Sequence, residues 1–251
     1  MTAAAPAATI ALHDLTVAHR GHPAVHHLSG DFAAGTLTAV VGPNGAGKTS
    51  LLGALVGAVR PASGEVRLPA GLRSRMAYLP QQAAIDRSFP INVFDLVALG
   101  HWGRTGSFRG LDATQREQVH EALHGVGLRG FERRGIGELS AGQFQRVLFA
   151  RVLLQDAPVI LLDEPFNAID ARTTADLLAL VSRWHGERRT VIAVLHDLDQ
   201  VRDHFDRTLL LARRPIAWGP TAEVLSADNL LRARQMAERW DDDAPVCREA
   251  A

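Results

Sequence analysis

The chain has 251 residues and is 47% hydrophobic, enough for one large domain or for a domain with an inserted lobe. Its 27 basic residues equal its 27 acidic residues, so the chain has no overall positive charge to attract nucleic acid. The single cysteine, Cys247, excludes a disulfide within the chain and indicates a reducing compartment.

Two β segments are predicted at the start of the chain. Residues 9–17 and 30–41 alternate between apolar and polar or run apolar, as strands do. Between them, residues 20–27 are rich in Gly, Pro and His and predict a turn. The pattern indicates an antiparallel β portion ahead of the first glycine-rich loop.

The next segment, residues 42–50, is glycine-rich, and we call it the phosphate loop. It reads GPNGAGKTS, which fits G-x-x-x-x-G-K-[ST], and a helix-compatible run at 51–59 follows it. In this motif the backbone N–H groups bind a polyphosphate, the lysine follows the β- and γ-phosphates and the hydroxyl ligates Mg²⁺. A glycine turn with an incidental lysine is the alternative. The predicted phosphate-binding residues are Gly42, Pro43, Asn44, Gly45, Ala46, Gly47, Lys48, Thr49 and Ser50.

Strands then alternate with helices, which predicts an α/β fold with a mainly parallel sheet. Predicted strands lie at 63–68, 76–79, 159–162, 191–195 and 208–212. Predicted helices lie at 92–99, 112–126, from 140 onwards, at 171–184 and from 226 to about 240. We expect one nucleotide-binding domain over residues 1–251, with a helical lobe inserted at about 85–145 and a helical, then frayed, tail at about 221–251.

Two adjacent carboxylates, Asp163 and Glu164, follow a predicted buried strand. A carboxylate buried there is costly unless it binds a cation, so Asp163 is predicted to hold Mg²⁺ opposite Thr49. Glu164 would accept a proton from the water that attacks the γ-phosphate. An ordinary acidic turn is the alternative. His196, after the next predicted strand, is either a core histidine or a hydrogen-bond donor to the γ-phosphate.

The run LSAGQ at residues 139–143 precedes an apolar run. Ser140 followed three residues later by Gln143 is a capping box, which predicts a helix start. Because the same start presents a hydroxyl and the N–H of Gly142, it also predicts an anion site for a γ-phosphate. Both interpretations can hold together.

Taken in order, these motifs resemble those of the ATP-binding-cassette (ABC) transporter ATPase subunits. The phosphate loop, Gln81 after a short strand, LSAGQ, VILLDEP, Asp170 and His196 follow one another as they do in that family, and the resemblance covers nearly the whole chain. LSAGQ shortly before LLDEP separates the family from P-loop kinases. The sequence has no match to N-K-x-D, the guanine-binding motif of GTPases, so the motifs do not indicate a GTPase.

The resemblance implies a P-loop NTPase fold and a head-to-tail dimer with two Mg-ATP between the subunits. Asp170 would link the two sites across the dimer. Each ATP would contact the phosphate loop of one copy and, from the other copy, Ser140, Gly142 and Gln143. The implied Mg²⁺ ligands are Thr49, Gln81 and Asp163. The implied catalytic residues are Lys48, Gln81, Glu164 and His196.

Two positions depart from the family pattern. Ala141 replaces the usual glycine of the signature; a methyl group is a small addition, so we expect activity to survive. His19 stands where the family usually has an aromatic residue that stacks on adenine. An imidazole offers less stacking area than tyrosine, so His19 is either a weaker contact to the base or a turn residue.

Residues 77–104 and 164–173 resemble the ATPases of zinc and manganese importers, and iron-chelate, haem and cobalamin importers share much of the pattern. The resemblance implies membrane permease subunits and an external metal-binding protein as partners, at the cytoplasmic face of the inner membrane. No run approaches the roughly 18 apolar residues of a membrane span. The alternatives are a soluble ABC ATPase acting on nucleic acid and a regulatory module without turnover. The balanced charge opposes the first, and intact Lys48, Asp163 and Glu164 oppose the second.

His120 and His124 share one face of a predicted helix at spacing i, i+4, which could bring both to one metal ion. Structural zinc needs four ligands, and no third one is evident in the sequence. We therefore interpret this face as solvated, and we expect the transported ion not to touch this subunit.

Overall fold

The computed structural model describes residues 9–19, 22–106 and 110–238. The strands are β1 (Ile10–His19), β2 (His22–Phe32), β3 (Leu37–Val41), β4 (Ser63–Arg67), β5 (Met76–Leu79), β6 (Val159–Asp163), β7 (Thr190–Val194), β8 (Arg207–Ala212) and β9 (Arg214–Pro220). The helices are α1 (Lys48–Val56), α2 (Val93–Ala98), α3 (Trp102–Thr105), α4 (Ala113–Gly125), α5 (Ala141–Gln155), α6 (Ala171–Gly186), α7 (Leu198–His204), α8 (Thr221–Val224) and α9 (Ala227–Glu238). Short 3₁₀ helices lie at Arg73–Arg75, Gln82–Ala84, Leu99–His101 and Ile136–Glu138.

A six-stranded sheet in the order β5-β6-β7-β3-β8-β9 forms the centre of the fold. The strands from β5 to β8 are parallel, and β9 pairs antiparallel with β8. The predicted α/β fold with a mainly parallel sheet is confirmed. The sequence does not predict β9, because its short run RPIAWGP is interrupted by Pro and Gly, which an edge strand tolerates.

A separate antiparallel sheet, in the order β2-β1-β4, contains the first two strands. The predicted turn at 20–27 is wrong, because β2 already begins at His22. Pro23 lies in an edge strand, where a residue without an N–H donor is tolerated, and His27 adopts a left-handed φ of 50° at a shift in register. The predicted strand at 30–41 is also divided, since residues 33–36 form a turn before β3.

The central strands β3, β6 and β7 are buried along their whole length. Alternate residues face opposite sides of the sheet. Val40 and Leu161 pack with α1 and the antiparallel sheet, whereas Ala39 and Leu162 pack with α5 and α6. Because both faces are covered, these strands are continuous apolar runs, which is why the sequence predicts them.

Helices α2 to α4 lie between β5 and β6 in the chain, within the segment predicted as an inserted helical lobe, and α2 and α4 pack against α5. The starts of α2 and α4 match the predicted positions because side chains cap them, whereas the sequence does not predict the short, uncapped α3. Asn92 accepts a hydrogen bond from the N–H of Asp95, and Asp112 forms a capping box with Gln115.

Helix α1 ends earlier than predicted, at Val56 rather than near residue 60. Gly57 takes a left-handed φ of 81° and donates its N–H to the Ala54 carbonyl, which closes the helix. The predicted end of the last helix at about 240 and the tail at 241–251 lie outside the described residues. None of the described helices has the length and apolar character needed to cross a membrane.

Candidate active site

The phosphate loop connects β3 to α1 and passes close to two other backbone segments. Gly42 has a φ of 152°, and a Cβ atom there would lie 1.9 Å from the carbonyl oxygen of Leu211 in β8. Gly47 has a φ of 91°, and a Cβ atom there would lie 2.1 Å from the carbonyl oxygen of Ala24 in β2. Only glycine fits at these two positions. Because Leu211 belongs to the central sheet and Ala24 to the antiparallel sheet, the loop is packed between the two sheets. Its exposed tip is Asn44 with Gly45.

Lys48 begins α1 and is only 6% exposed. Its Nζ donates to the carbonyl oxygens of Gly42 at 2.8 Å and Pro43 at 2.9 Å. Burial lowers the pKa of Lys48, while the carboxylates of Glu164 and Asp163 partly offset that effect. The ammonium group therefore lies against the loop backbone, where a phosphate would bind.

The turn between β8 and β9 supports the phosphate loop through backbone hydrogen bonds. Arg213 has a left-handed φ of 60° and donates its N–H to the Ala46 carbonyl at 3.1 Å. Its own carbonyl accepts the N–H of His26 at 2.7 Å. Sequence patterns give no signal for this support, because the backbone of almost any residue can provide it.

Asp163 is the last residue of β6 and is completely buried. Thr49 Oγ1 donates to its Oδ1 at 3.2 Å, and the hydroxyl of Tyr78 donates to its Oδ2 at 3.4 Å. Burial raises the pKa of Asp163, although the hydroxyl of Thr49 opposes this. Burial also raises the pKa of Tyr78, so its hydroxyl stays protonated and remains a donor. The position of Asp163 opposite Thr49 was predicted, and the contribution of Tyr78 was not.

Glu164 follows with a left-handed φ of 51°, and its N–H donates to the Val194 carbonyl at 3.2 Å. Its Oε1 lies 2.7 Å from His196 Nε2, and its Oε2 accepts from Asn167 Nδ2 at 2.5 Å. The side chain of His196 is 35% exposed, which excludes a core histidine. Asn167 is a further site residue that the sequence did not single out, since no motif marked it.

Gln81 follows β5 and reaches the start of α1. Its Nε2 donates to Thr49 Oγ1 at 3.4 Å, so Thr49 lies between Gln81 and Asp163. The structure thus brings together the three residues predicted to hold Mg²⁺. Hydroxyl, carboxylate and amide oxygens are ligands that this ion accepts.

The LSAGQ segment begins α5 as predicted. The N–H of Gln143 donates to Ser140 Oγ at 3.2 Å, and the N–H of Ser140 donates to Gln143 Oε1 at 3.0 Å. Ser140 is exposed. Within the described part of the chain, no hydrogen bond joins Ser140, Gly142 or Gln143 to the phosphate loop of the same copy.

Asp170 caps the start of α6 and lies beside the LSAGQ segment. Its carboxylate accepts the N–H of Thr173 at 2.9 Å and the Thr173 hydroxyl at 2.8 Å, and these bonds, led by the backbone one, lower the pKa of Asp170. A Cβ atom on Gly142 would lie 3.5 Å from Asp170 Oδ2. Asp170 is therefore close to the tip of α5 in its own chain.

His19 is exposed at the end of β1. Its Nε2 lies 2.8 Å from Ser50 Oγ, so the imidazole sits against the last residue of the phosphate loop. His120 lies apart from this site, with Nδ1 3.6 Å from Glu132 and its ring against Phe94. Among the described residues, no group of three His, Cys, Asp or Glu side chains could hold a metal ion.

This site geometry agrees with comparisons of the chain with known proteins. The family model described as ABC transporter matches residues 25–167, which include the phosphate loop, LSAGQ and both carboxylates. The chain belongs to the ABC transporter family. Its P-loop fold and ATPase class, both predicted from the motifs, are therefore confirmed.

Relatives within the ABC family cover most of the chain. The zinc transport system ATP-binding protein TroB of Treponema pallidum (strain Nichols) is 40% identical, over 91% of this chain and 88% of its own length. The manganese transport system ATP-binding protein MntB of Bacillus subtilis (strain 168) is 37% identical, over 88% of this chain and 90% of its own length. A solved structure described as an ABC transporter of metal-chelate type, in an inward-facing conformation, has a TM-score of 0.80 at 26% identity. It covers 91% of this chain and 89% of that chain.

Proposed function

We propose that this ABC ATPase is the ATP-hydrolysing subunit of an importer for a transition-metal ion, zinc or manganese. One observation carries the hydrolytic part: Asp163 contacts Thr49 of the phosphate loop, whereas the adjacent Glu164 contacts His196. The metal cargo is supported by the zinc and manganese transport proteins at 40% and 37% identity.

The phosphates would be held by the backbone N–H groups of the phosphate loop and by Lys48. Thr49, Gln81 and Asp163 would hold Mg²⁺, which when bound neutralises charge on the β- and γ-phosphates. The buried carboxylate of Asp163 fits this role, because its partners are only hydroxyl groups and a cation would offset its burial. Rotation of the Gln81 amide would turn its oxygen toward the ion.

Glu164 is placed to accept a proton from the attacking water. As the water oxygen bonds to the γ-phosphorus, its proton passes to Glu164, and the bond from the γ-phosphorus to the bridging oxygen of ADP breaks. His196 Nε2 and Asn167 Nδ2 hold the two oxygens of Glu164 before ATP arrives. With ATP bound, His196 can instead donate to the γ-phosphate.

The nucleotide site of one copy is incomplete, which supports a dimer. The capped tip of α5 carries Ser140, Gly142 and Gln143, and within the described residues no hydrogen bond joins them to the phosphate loop of the same copy. A helix N-terminus favours an anion, because the positive end of the helix dipole lies there. We infer that it binds the γ-phosphate held by a second copy, and that Asp170, beside the tip, links the two sites.

Further partners are a membrane permease and, through it, an external metal-binding protein. The helical lobe exposes large apolar side chains, with Phe89 62%, Trp102 56% and Leu99 37% accessible. Such side chains fit a permease segment, which would hold this subunit at the cytoplasmic face of the membrane. The equal numbers of acidic and basic residues give no support for nucleic acid as a partner.

A chelate importer is the second candidate, because the metal-chelate type transporter shares this fold at a TM-score of 0.80. The test is uptake by vesicles that contain this subunit and its permease. We expect ATP to drive uptake of radioactive zinc or manganese, and Lys48→Ala to abolish it. Uptake of an iron chelate, haem or cobalamin without either ion would assign the second candidate.

A further inference from the structure

Helix α5 contains a buried amide that the site described above does not use. Gln145 is only 1% exposed, on a helix whose neighbouring residues Phe144 and Val147 belong to the apolar core. Its Nε2 donates to the Pro165 carbonyl at 2.6 Å, and its Oε1 accepts from Gln82 Nε2, also at 2.6 Å. A buried amide with two short, oppositely directed hydrogen bonds fixes the relative position of the segments that it joins.

The two partners of Gln145 are direct neighbours of predicted catalytic residues. Pro165 follows Glu164, and Gln82 follows Gln81. Gln82 Nε2 also donates to the carbonyl of Ala141, at the tip of α5, at 3.2 Å. The amides of Gln145 and Gln82 together therefore connect three segments: the turn that carries Glu164, the turn that carries Gln81, and the tip of α5.

The position of Glu164 depends on such anchors because its backbone is strained. Its φ of 51° lies in the left-handed region, which a residue with a side chain adopts only when its surroundings impose it. The Val194 carbonyl holds the N–H of Glu164, and Gln145 holds the carbonyl of the next residue. A shift of α5 along its axis would therefore be transmitted to the Glu164 turn.

A second contact attaches the segment that follows Gln81 to the tip of α5. The guanidinium group of Arg87 donates to the Leu139 carbonyl, immediately before the helix, and lies 4.9 Å from the centre of the Phe144 ring. The segment from Gln81 to Arg87 is thus joined to α5 at two points. It is positioned to move with the helix tip rather than independently.

We propose that Gln145 is a positioning residue that couples the two nucleotide sites of the dimer. This rests on the proposed function, in which the tip of α5 binds the ATP held by the second copy. Engagement of that ATP sets the position of α5, and Gln145 passes the position to Glu164 and Gln81 of its own copy. Each site then hydrolyses ATP efficiently only when the other is occupied.

The test replaces Gln145 with methionine, which keeps the length of the side chain and removes both hydrogen bonds. We expect kcat of the full-length protein to fall about tenfold, the effect of losing one to two buried hydrogen bonds. The Kd for ATP should stay unchanged, and the Hill coefficient for ATP should fall to that of independent sites. Gln155→Met, at the other end of α5, is the matched control and should keep kcat and cooperativity.

Gln82→Met provides a second test, since Gln82 is only half-buried and its loss leaves the core intact. We expect it to lower kcat in the same way, and the double variant to lose no more than the more severe single variant, as residues that act as one unit do. This variant decides the question if Gln145→Met does not fold.

Three results would overturn the coupling role. In the first, either methionine variant keeps the wild-type kcat and cooperativity. In the second, a variant loses ATP affinity or thermal stability to the same extent as kcat. In the third, the wild type hydrolyses ATP without cooperativity. If the wild type neither hydrolyses ATP nor pairs with a second copy, the proposed function itself fails. That outcome is visible before any variant is compared.

Discussion

At the scale of single residues, two adjacent carboxylates of this ABC ATPase have opposite surroundings. Asp163 is completely buried and contacts two hydroxyl groups, whereas Glu164 contacts the imidazole of His196 and the amide of Asn167. Neighbouring acids in different environments can take different roles. This supports a cation ligand in the first position and a proton acceptor in the second.

We expect Asp163→Asn to stabilise the nucleotide-free protein at neutral pH by about 1 kcal/mol, a few degrees in Tm. Burial raises the pKa of Asp163, so its ionised form costs folding free energy, and asparagine removes that charge. As the pH falls through the raised pKa, the wild-type carboxyl becomes neutral and the difference between the two proteins should shrink. Mg-ATP should stabilise only the wild type.

Thermal unfolding of both proteins between about pH 4 and pH 8 measures this difference. Glu164→Gln makes the same chemical change at the more exposed neighbour and is the control, for which we expect no comparable gain. A wild type that is the more stable protein at neutral pH without nucleotide would contradict the assignment.

His19 supports a prediction about the base of the nucleotide. Its contact with Ser50 places the imidazole beside the phosphate loop. We expect His19→Tyr to lower the Kd for ATP about two- to tenfold, because a larger ring stacks better on adenine. Titration with ATP measures the Kd, and His22→Tyr at the start of β2 is the control. An unchanged Kd would show that His19 does not stack on the base.

At the scale of elements, burial on both faces decides what the sequence can predict. The fully buried strands β3, β6 and β7 are continuous apolar runs and were predicted, and so were the capped helix starts at Asn92 and Asp112. The edge strand β9 and most of β2 were not, because Pro, Gly and His interrupt their patterns.

The residues of the candidate site also fall into two groups, those that the sequence predicts and those that it does not. The sequence predicts that Asp163 lies opposite Thr49, because both residues lie in recognisable local motifs. It does not predict Tyr78, Asn167 or the backbone of Arg213, since these join the site only through tertiary contacts. Motifs therefore identify the reacting groups, and the fold identifies the groups that hold them.

At the scale of the whole molecule, we expect Glu164→Gln to bind ATP, to lose turnover by at least about 100-fold and to form a stable dimer with ATP. Glutamine keeps the shape of the side chain and cannot accept the proton. Light scattering measures the dimer, and phosphate release measures turnover. Lys48→Ala is the contrasting variant, which should bind ATP weakly and remain monomeric. Turnover at the wild-type rate in Glu164→Gln would remove Glu164 as the base.

The hydrogen bonds of Lys48 to Gly42 and Pro43 have a consequence for ATP affinity. Because the ammonium group lost most of its hydration when the chain folded, an arriving triphosphate does not have to strip water from it. The triphosphate therefore meets an ammonium group that is already dehydrated and held against the phosphate loop. Preorganisation of this kind makes a modest number of contacts sufficient for tight nucleotide binding.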